Sequence, residues 1–364
     1  MNSQATAIEG GNIYTVSRQW AKRPDDERFL TLEDLHASVQ ARTDRAQVHD
    51  FDAQLARVQP TDDDDIVLQL PEDQMKMTSW SFNQLCQRSK VPAAYAKTLP
   101  APLACINLQW GLEHAKDALQ YGRALVDVNG SSLARAVTSQ TYGRIWDIDV
   151  VEAVMQFNDK AGGRWQVPAN SSGVNTKRAT TLYASDRDCF MFLVEPDRVI
   201  EVDGDVMHRG FYVWNSEVGA STFGLAMFLY RRVCDNRIIW GASHYKELKI
   251  RHTSGGPERF IREAAPTLQK YALESAAETE ATIRRAKALE VGKDDDSVAS
   301  WIANRGFTKA MANTIVTTAK AEEGQARSLM DIVNGITAHA RSVSHTDTRV
   351  DLERRAGALL KHAK

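Results

Sequence analysis

Three groups of residues in this 364-residue chain have the side chains and spacing to do chemistry. The first runs from His208 to His252, where seven Arg or Lys residues stand against three acids, a local charge of +4 in a chain whose net charge is −2. Arg209, Arg231, Arg232, Arg237, Lys246, Lys249 and Arg251 are interleaved there with Tyr212, Trp214, Tyr230, Trp240 and Tyr245. Cations neutralise phosphates and rings stack on bases, so the pattern fits a nucleic-acid surface. The plainer reading puts the rings in the core and the arginines on a solvated face. Lys177 and Arg178, in the polar loop 170–178 (NSSGVNTKR), add possible phosphate contacts. That loop has neither the spacing of a Walker loop nor a dinucleotide fingerprint.

The second group is Arg135, Tyr142, Arg144, Asp147 and Asp149, a dense polar set at the end of an apolar segment. Two carboxylates beside an arginine could hold a divalent metal or perform acid–base work. Equally, Asp149 could cap a helix over 150–157 while Arg144 pairs with either carboxylate. With Asn215, Glu217 and His252 these residues form the constellation an enzyme would use, although no catalytic signature is present. The third group is acidic. Asp62 to Asp65 lack the alternation and glycine of a calcium loop and read as a solvated linker. Glu201, Asp203 and Asp205 alternate, which would put them on one side of a strand, as a second candidate metal site or an exposed edge. The cysteines Cys86, Cys105, Cys189 and Cys234 are scattered, which favours neither a disulfide framework nor zinc, so no metal and no cofactor is expected.

The elements that must position these groups follow from periodicity. Phe223, Leu225, Met227 and Leu229 fall at every second position, predicting a strand over 222–233, with a helix as the alternative because Phe223, Met227 and Tyr230 also fall at helical spacing. Asp235 and Asn236 supply a turn before Ile238, Ile239 and Trp240, making a hairpin. Asn215, Ser216 and Glu217 are expected at a strand-end turn, with Gly219 permitting the bend. Upstream, a strand at 66–70, a helix over 81–86 and a second helix led by Pro92 follow in order, the last two resembling a helix-turn-helix poor in base-reading side chains. A hairpin joins 124–129 to 133–139 around Gly130, and 180–194 reads as a strand with a turn or bulge at 186–188. From residue 257 the spacing predicts helices near 258–291, 297–303, 307–321, 328–341 and 346–361, with Ile315, Leu329, Ile332, Val333 and Ile336 in their apolar faces.

The fold class is therefore α+β, a curved antiparallel sheet with flanking helices and a C-terminal helical segment. Residues 1–75 carry 15 acids against 7 Arg or Lys, a net −8 that leaves +6 for the rest. They read as an acidic arm with a short helix begun by Thr31, followed by an α+β core over 76–256 and a helical region over 257–364. A composition of 43% apolar and 25% charged residues is that of a soluble globular protein. No apolar run approaches the ~20 residues of a membrane span and the polar N-terminus has no signal-peptide character, so a cytoplasmic protein without a membrane partner is expected.

The segment HRGFYVWNSEVG, followed by LYRRVCDN, resembles the phage/plasmid-like protein family known as domain of unknown function 932. In that family a Gly-x-x-x-x-Asn-Ser-Glu-x-Gly step precedes a strand ending Arg-x-x-Cys-x-Asn-Gly. Segments 85–95 (LCQRSKVPAAY), 135–149 (RAVTSQTYGRIWDID), Arg251-His252 and 334–360 (NGITAHARSVSHTDTRVDLERRAGALL) continue the likeness over about residues 75–364. Arg237 stands where the family has Gly, which frees that position to contact something. The resemblance implies a mobile-element setting and names no reaction. The expectation is a nucleic-acid-binding accessory protein of a phage, prophage or plasmid, with single-stranded DNA as partner, acting in strand binding or annealing during recombination or replication. The alternatives are an enzyme acting on nucleic acid or nucleotides, and an interaction module directed at host defence. The helical tail is compatible with a homo-oligomer.

Overall fold

Alternation of apolar side chains on residues 205–231 builds the centre of the molecule. In a computed structural model, which describes residues 24–71, 73–167, 181–231, 237–240, 248–273, 277–342, 352 and 355–363, β10 (Asp205–Asn215) lies antiparallel between β9 (Cys189–Val202) and β11 (Phe223–Arg231). The strand reading of 222–233 thus prevails over the helix. Asp203 and Gly204, both at positive φ, make the tight turn between β9 and β10. That turn takes Glu201, Asp203 and Asp205 off any common strand face, and Asp205 instead meets Lys287 at 2.6 Å. The sheet runs β1 (Arg28–Phe29), β8 (Leu182–Ala184), β9, β10, β11, β12 (Arg237–Trp240), and β13 (Leu248–Ile250) also pairs with β11. The break at 186–188 is a full turn between β8 and β9.

Both faces of this sheet are buried at its centre, while Asp197, Arg198, Val199 and Glu201 of β9 are exposed. On one, Met191, Leu193, Phe211, Val213, Leu225 and Met227 pack beneath α1 (Leu32–Asp44), α5 (Asp147–Lys160) and α6 (Gly256–Leu273). On the other, Tyr183, Phe190, Phe192, Tyr212, Trp214 and Phe228 form an aromatic cluster. Tyr212 and Trp214, expected on a nucleic-acid surface, are only 2% and 3% exposed, because period-2 geometry sends them opposite Phe211 and Val213 into a second core. Arg209 is also buried, paired with Glu195 at 2.6 Å.

A second sheet runs β2 (Ala46–Asp52), β6 (Tyr121–Val128), β7 (Ser132–Ser139), β5 (Gln74–Met77), β4 (Ile66–Gln69), β3 (Arg57–Pro60), parallel only between β5 and β7. Over its described part the acidic segment before residue 76 is built into both sheets: β1 pairs with β8 and β2 with β6. Its Asp62 to Asp65 run is the β3–β4 loop, where the Asp64 carboxylate accepts the Ala101 N–H (2.9 Å) at the start of α4 (Ala101–Glu113). α2 (Ser79–Arg88) and α4 cover one face of this sheet. Between them α3 (Ala93–Ala96) is a single turn after Pro92, too short for the second helix of a helix-turn-helix.

The C-terminal region is helical as expected. α7 (Ala277–Ala288), α8 (Asp295–Ala303), α9 (Lys309–Glu323) and α10 (Leu329–Ser342) enclose a core that includes Ile200, Val202, Met207 and Leu229 from the first sheet. The span predicted as helical over 258–291 holds α6 and α7, and residues 274–276 between them lie outside the described residues. Among the described residues no helix is long and apolar enough to cross a membrane.

In the aromatic cluster, Gly224 stands opposite Trp214, and a Cβ there would lie 1.8 Å from the indole. Gly224→Ala should therefore cost about 1–3 kcal/mol through overpacking, read as a lower denaturant midpoint. An unchanged midpoint would contradict this packing.

Candidate functional site

The end of β10 is where the chemistry-bearing residues meet. Asn215, Ser216 and Glu217 leave the strand, and Gly219 (φ +84°) turns the chain back. Asn215 and Ser216 are 0% exposed and Glu217 1%. The Asn215 amide does not close a local turn. It reaches the start of α5, donating to the Ile145 carbonyl (2.9 Å) and the Asp147 carboxylate (2.7 Å). The Ser216 hydroxyl donates to the Arg187 carbonyl in the β8–β9 turn and accepts from the Ala220 N–H. Glu217 accepts the Asp147 N–H (3.2 Å), satisfying a donor in the first turn of α5. Because α5 begins at Asp147, Asp149 lies inside its first turn and does not cap it.

Guanidinium groups from two elements close on these carboxylates, and a third lies beside them. Arg42 of α1 meets Asp147 at 2.7 Å and Glu217 at 3.4 Å, and also donates to the Ser185 carbonyl. Arg135 of β7 meets Glu217 at 2.7 Å and donates to the Asp186 carbonyl (3.2 Å). Arg144 pairs with neither carboxylate, contrary to expectation. It donates to the Glu217 carbonyl and lies over the Tyr142 and Trp146 rings, at 5.3 and 5.4 Å. The Tyr142 hydroxyl donates to the Ser216 carbonyl (3.2 Å), and its ring stacks on His252 at 5.1 Å. Arg135, Tyr142, Arg144, Asp147, Asn215, Glu217 and His252, separated by up to 117 positions in sequence, are thus brought together.

Sequence reasoning missed Arg42. The signal was available: Leu35, Val39 and Arg42 share one helical face, and a cation on an apolar stripe needs a buried acid. Trp80 and Gln84 of α2, also missed, both donate to the Val218 carbonyl.

Three guanidiniums against two carboxylates leave this cluster one positive charge in excess. Burial, then the Glu217 charge, pushes the Asp147 carboxyl up to about 7. Burial would raise Glu217 as well, but Arg42 and Arg135 hold it below its ordinary value. Burial lowers His252 to about 4, so its imidazole is neutral at pH 7. The carboxylates are sealed and already occupied by guanidinium and amide donors, so the arrangement clasps elements together and offers no reacting atom a path. Among the described residues no three His, Cys, Asp or Glu side chains converge to hold a metal ion.

The accessible part lies beside this clasp. A cleft of about 350 Å³ is lined by the Tyr142–His252 stack, by Ser221, Thr222 and Thr253, and by exposed Arg251. Among the described residues no carboxylate lines it. Lys249, two residues earlier on β13, is exposed as well. Arg231 and Arg237 face each other in the β11–β12 register. Arg232, Lys246, Lys177 and Arg178 lie outside the described residues.

The family profile described as Domain of unknown function (DUF932) matches residues 137–347, more than half of the chain. The chain belongs to this family. The DUF932 match takes in Tyr142, Arg144, Asp147, Asn215, Glu217 and His252, whereas Arg42 and Arg135 come from before it. No curated protein and no solved structure matches the chain.

Two outcomes follow for the clasp. Glu217→Gln leaves Arg135 and Arg42 buried beside a neutral amide and should cost about 3 kcal/mol, measured by chemical denaturation; unchanged stability would mean that the pairs contribute nothing. For Asp147, a folded-state pKa above the unfolded value means that the native chain holds a proton the unfolded chain has released. Stability from this group is therefore full below the ordinary carboxylate range and is lost as pH rises through about 7. The melting temperature of the wild type relative to Asp147→Asn should fall between roughly pH 5 and pH 8, and a constant difference would contradict the shift.

Proposed function

We propose that this DUF932 chain is a nucleic-acid-binding accessory protein of a phage, prophage or plasmid, holding single strands during annealing or protection in recombination or replication. The observation that supports this reading is the cleft beside β13, lined by no carboxylate among the described residues and by exposed Arg251 with three hydroxyl-bearing side chains. A phosphodiester needs a cation and hydrogen-bond donors without a competing carboxylate. Lys249 extends the cationic edge by two residues of extended strand, about 7 Å. The Tyr142–His252 stack would contribute ring surface to a strand. The mobile-element setting rests on the motif likeness, and single-stranded DNA is the favoured ligand. An enzyme would need Asp147 and Glu217 open to substrate, and both are fully buried; this favours binding over catalysis.

Binding of a single-stranded oligonucleotide across a salt series tests the reading. Wild-type affinity should fall as salt rises, and Lys249→Ala with Arg251→Ala should flatten that dependence by about one unit per charge, without altering sequence preference. Absence of wild-type binding at ~50 mM salt and tens of micromolar protein would overturn the proposal.

A further inference from the structure

On the far side of the second sheet, α4 carries a surface that the nucleic-acid reading does not use. Leu103, Ile106 and Trp110 fall three and four residues apart and are 50%, 64% and 65% exposed. Tyr95 of α3, 52% exposed, stands beside them along a groove of about 570 Å³ whose walls include Val91 and Pro92. The opposite side of α4, with Ala104, Cys105, Leu108 and Leu112, is packed on the sheet. The helix is therefore apolar on both sides, a pattern that in a stable protein belongs to a helix covered on both sides. Isolated exposed apolar residues are ordinary, but a contiguous row of large ones marks an interaction surface. The Trp110 indole is also held in place: it stacks on His114 with ring centres 4.2 Å apart, and His114 is anchored to the Trp110 carbonyl at 2.7 Å. A preset aromatic anchor loses little rotamer freedom on docking.

We propose that this face is the interface of a homodimer, with α4 of one copy crossing α4 of a second about a two-fold axis near Asn107. An isologous interface requires one patch to complement itself. Here Ile106 and Trp110 line the same groove as Val91, Pro92 and Tyr95, so the apolar row of one copy can seat against the groove of the other. α4 carries no cation, and its one carboxylate, Glu113, lies at its end, so self-pairing brings no like charges together along the ridge; Arg88, Lys90 and His114 also line the groove. The size is also right. Four large side chains at these exposures present roughly 400–500 Å² of surface, and a polar rim brings this toward the ~800 Å² that each partner of a specific complex buries.

The test uses the full chain in analytical ultracentrifugation between about 1 and about 100 μM, a range that resolves micromolar dissociation constants. Wild type should reach twice the monomer mass, and Ile106→Glu with Trp110→Glu should remain monomeric with an unchanged melting temperature. Independently, Asn107→Cys should form an intermolecular disulfide on mild oxidation, which keeps the proposal testable if the double variant misfolds. A wild type that stays monomeric throughout would overturn it, as would a dimer that survives the double substitution. If the double variant keeps its mass but loses oligonucleotide binding, the face belongs to base stacking and the dimer proposal fails. Loss of oligonucleotide binding in the β13 variant leaves this interface untouched, so the two proposals fail separately.

Discussion

Burying two carboxylates and three arginines at the junction of two sheets is the constraint on which the rest of the structure depends. Each ion would be expensive to desolvate alone, so every one must find a partner with good geometry. The partners come from different elements: Arg42 from α1, Arg135 from β7, Asp147 from α5 and Glu217 from the end of β10. No one of these elements can shift without leaving a charge unpaired in a low-dielectric interior. The clasp therefore sets the relative placement of sheets and helices more strictly than apolar packing could, since apolar contacts are non-directional.

The central sheet solves a different problem. With aliphatic and aromatic residues on one face and a nearly all-aromatic layer on the other, its centre has no solvated side on which to place polar groups. Gly210 and Gly224 make room for the rings of Phe228 and Trp214 where a Cβ would collide. Polar function is pushed to the sheet's edge and to the loops after its strands, and that is where Arg251, Ser221 and Thr222 line an open cleft.

Burial also separates residues that look alike in a list of candidates. Glu217 and Arg251 both belong to segments with functional appearance, yet one is sealed and the other solvated. Ionisable residues in an interior hold shape, whereas those on a concave surface without counter-charges remain available to a ligand. The same distinction applies to rings: Trp214 is core, while Trp110 is exposed on the outside of α4.

Much of this molecule was legible from the chain alone. Period-2 spacing over 223–229 pointed to a strand, period-3.6 spacing after 257 to helices, Gly130 to a turn, and Thr31 to the start of α1, which it caps by accepting the Asp34 N–H. Those features depend on neighbours within a few residues, which the sequence displays directly. The polar residues that meet around β10 could also be singled out, because arginines and carboxylates beside apolar segments need partners. Which partner each one takes was not legible: Arg144 turned to a carbonyl, Arg42 came from a segment that read as an acidic arm, and Tyr212 and Trp214 went inward. An alternating strand specifies two faces but not which of them is covered. That is decided only when distant elements pack, because desolvation is a property of the assembled surroundings and not of any local stretch of chain.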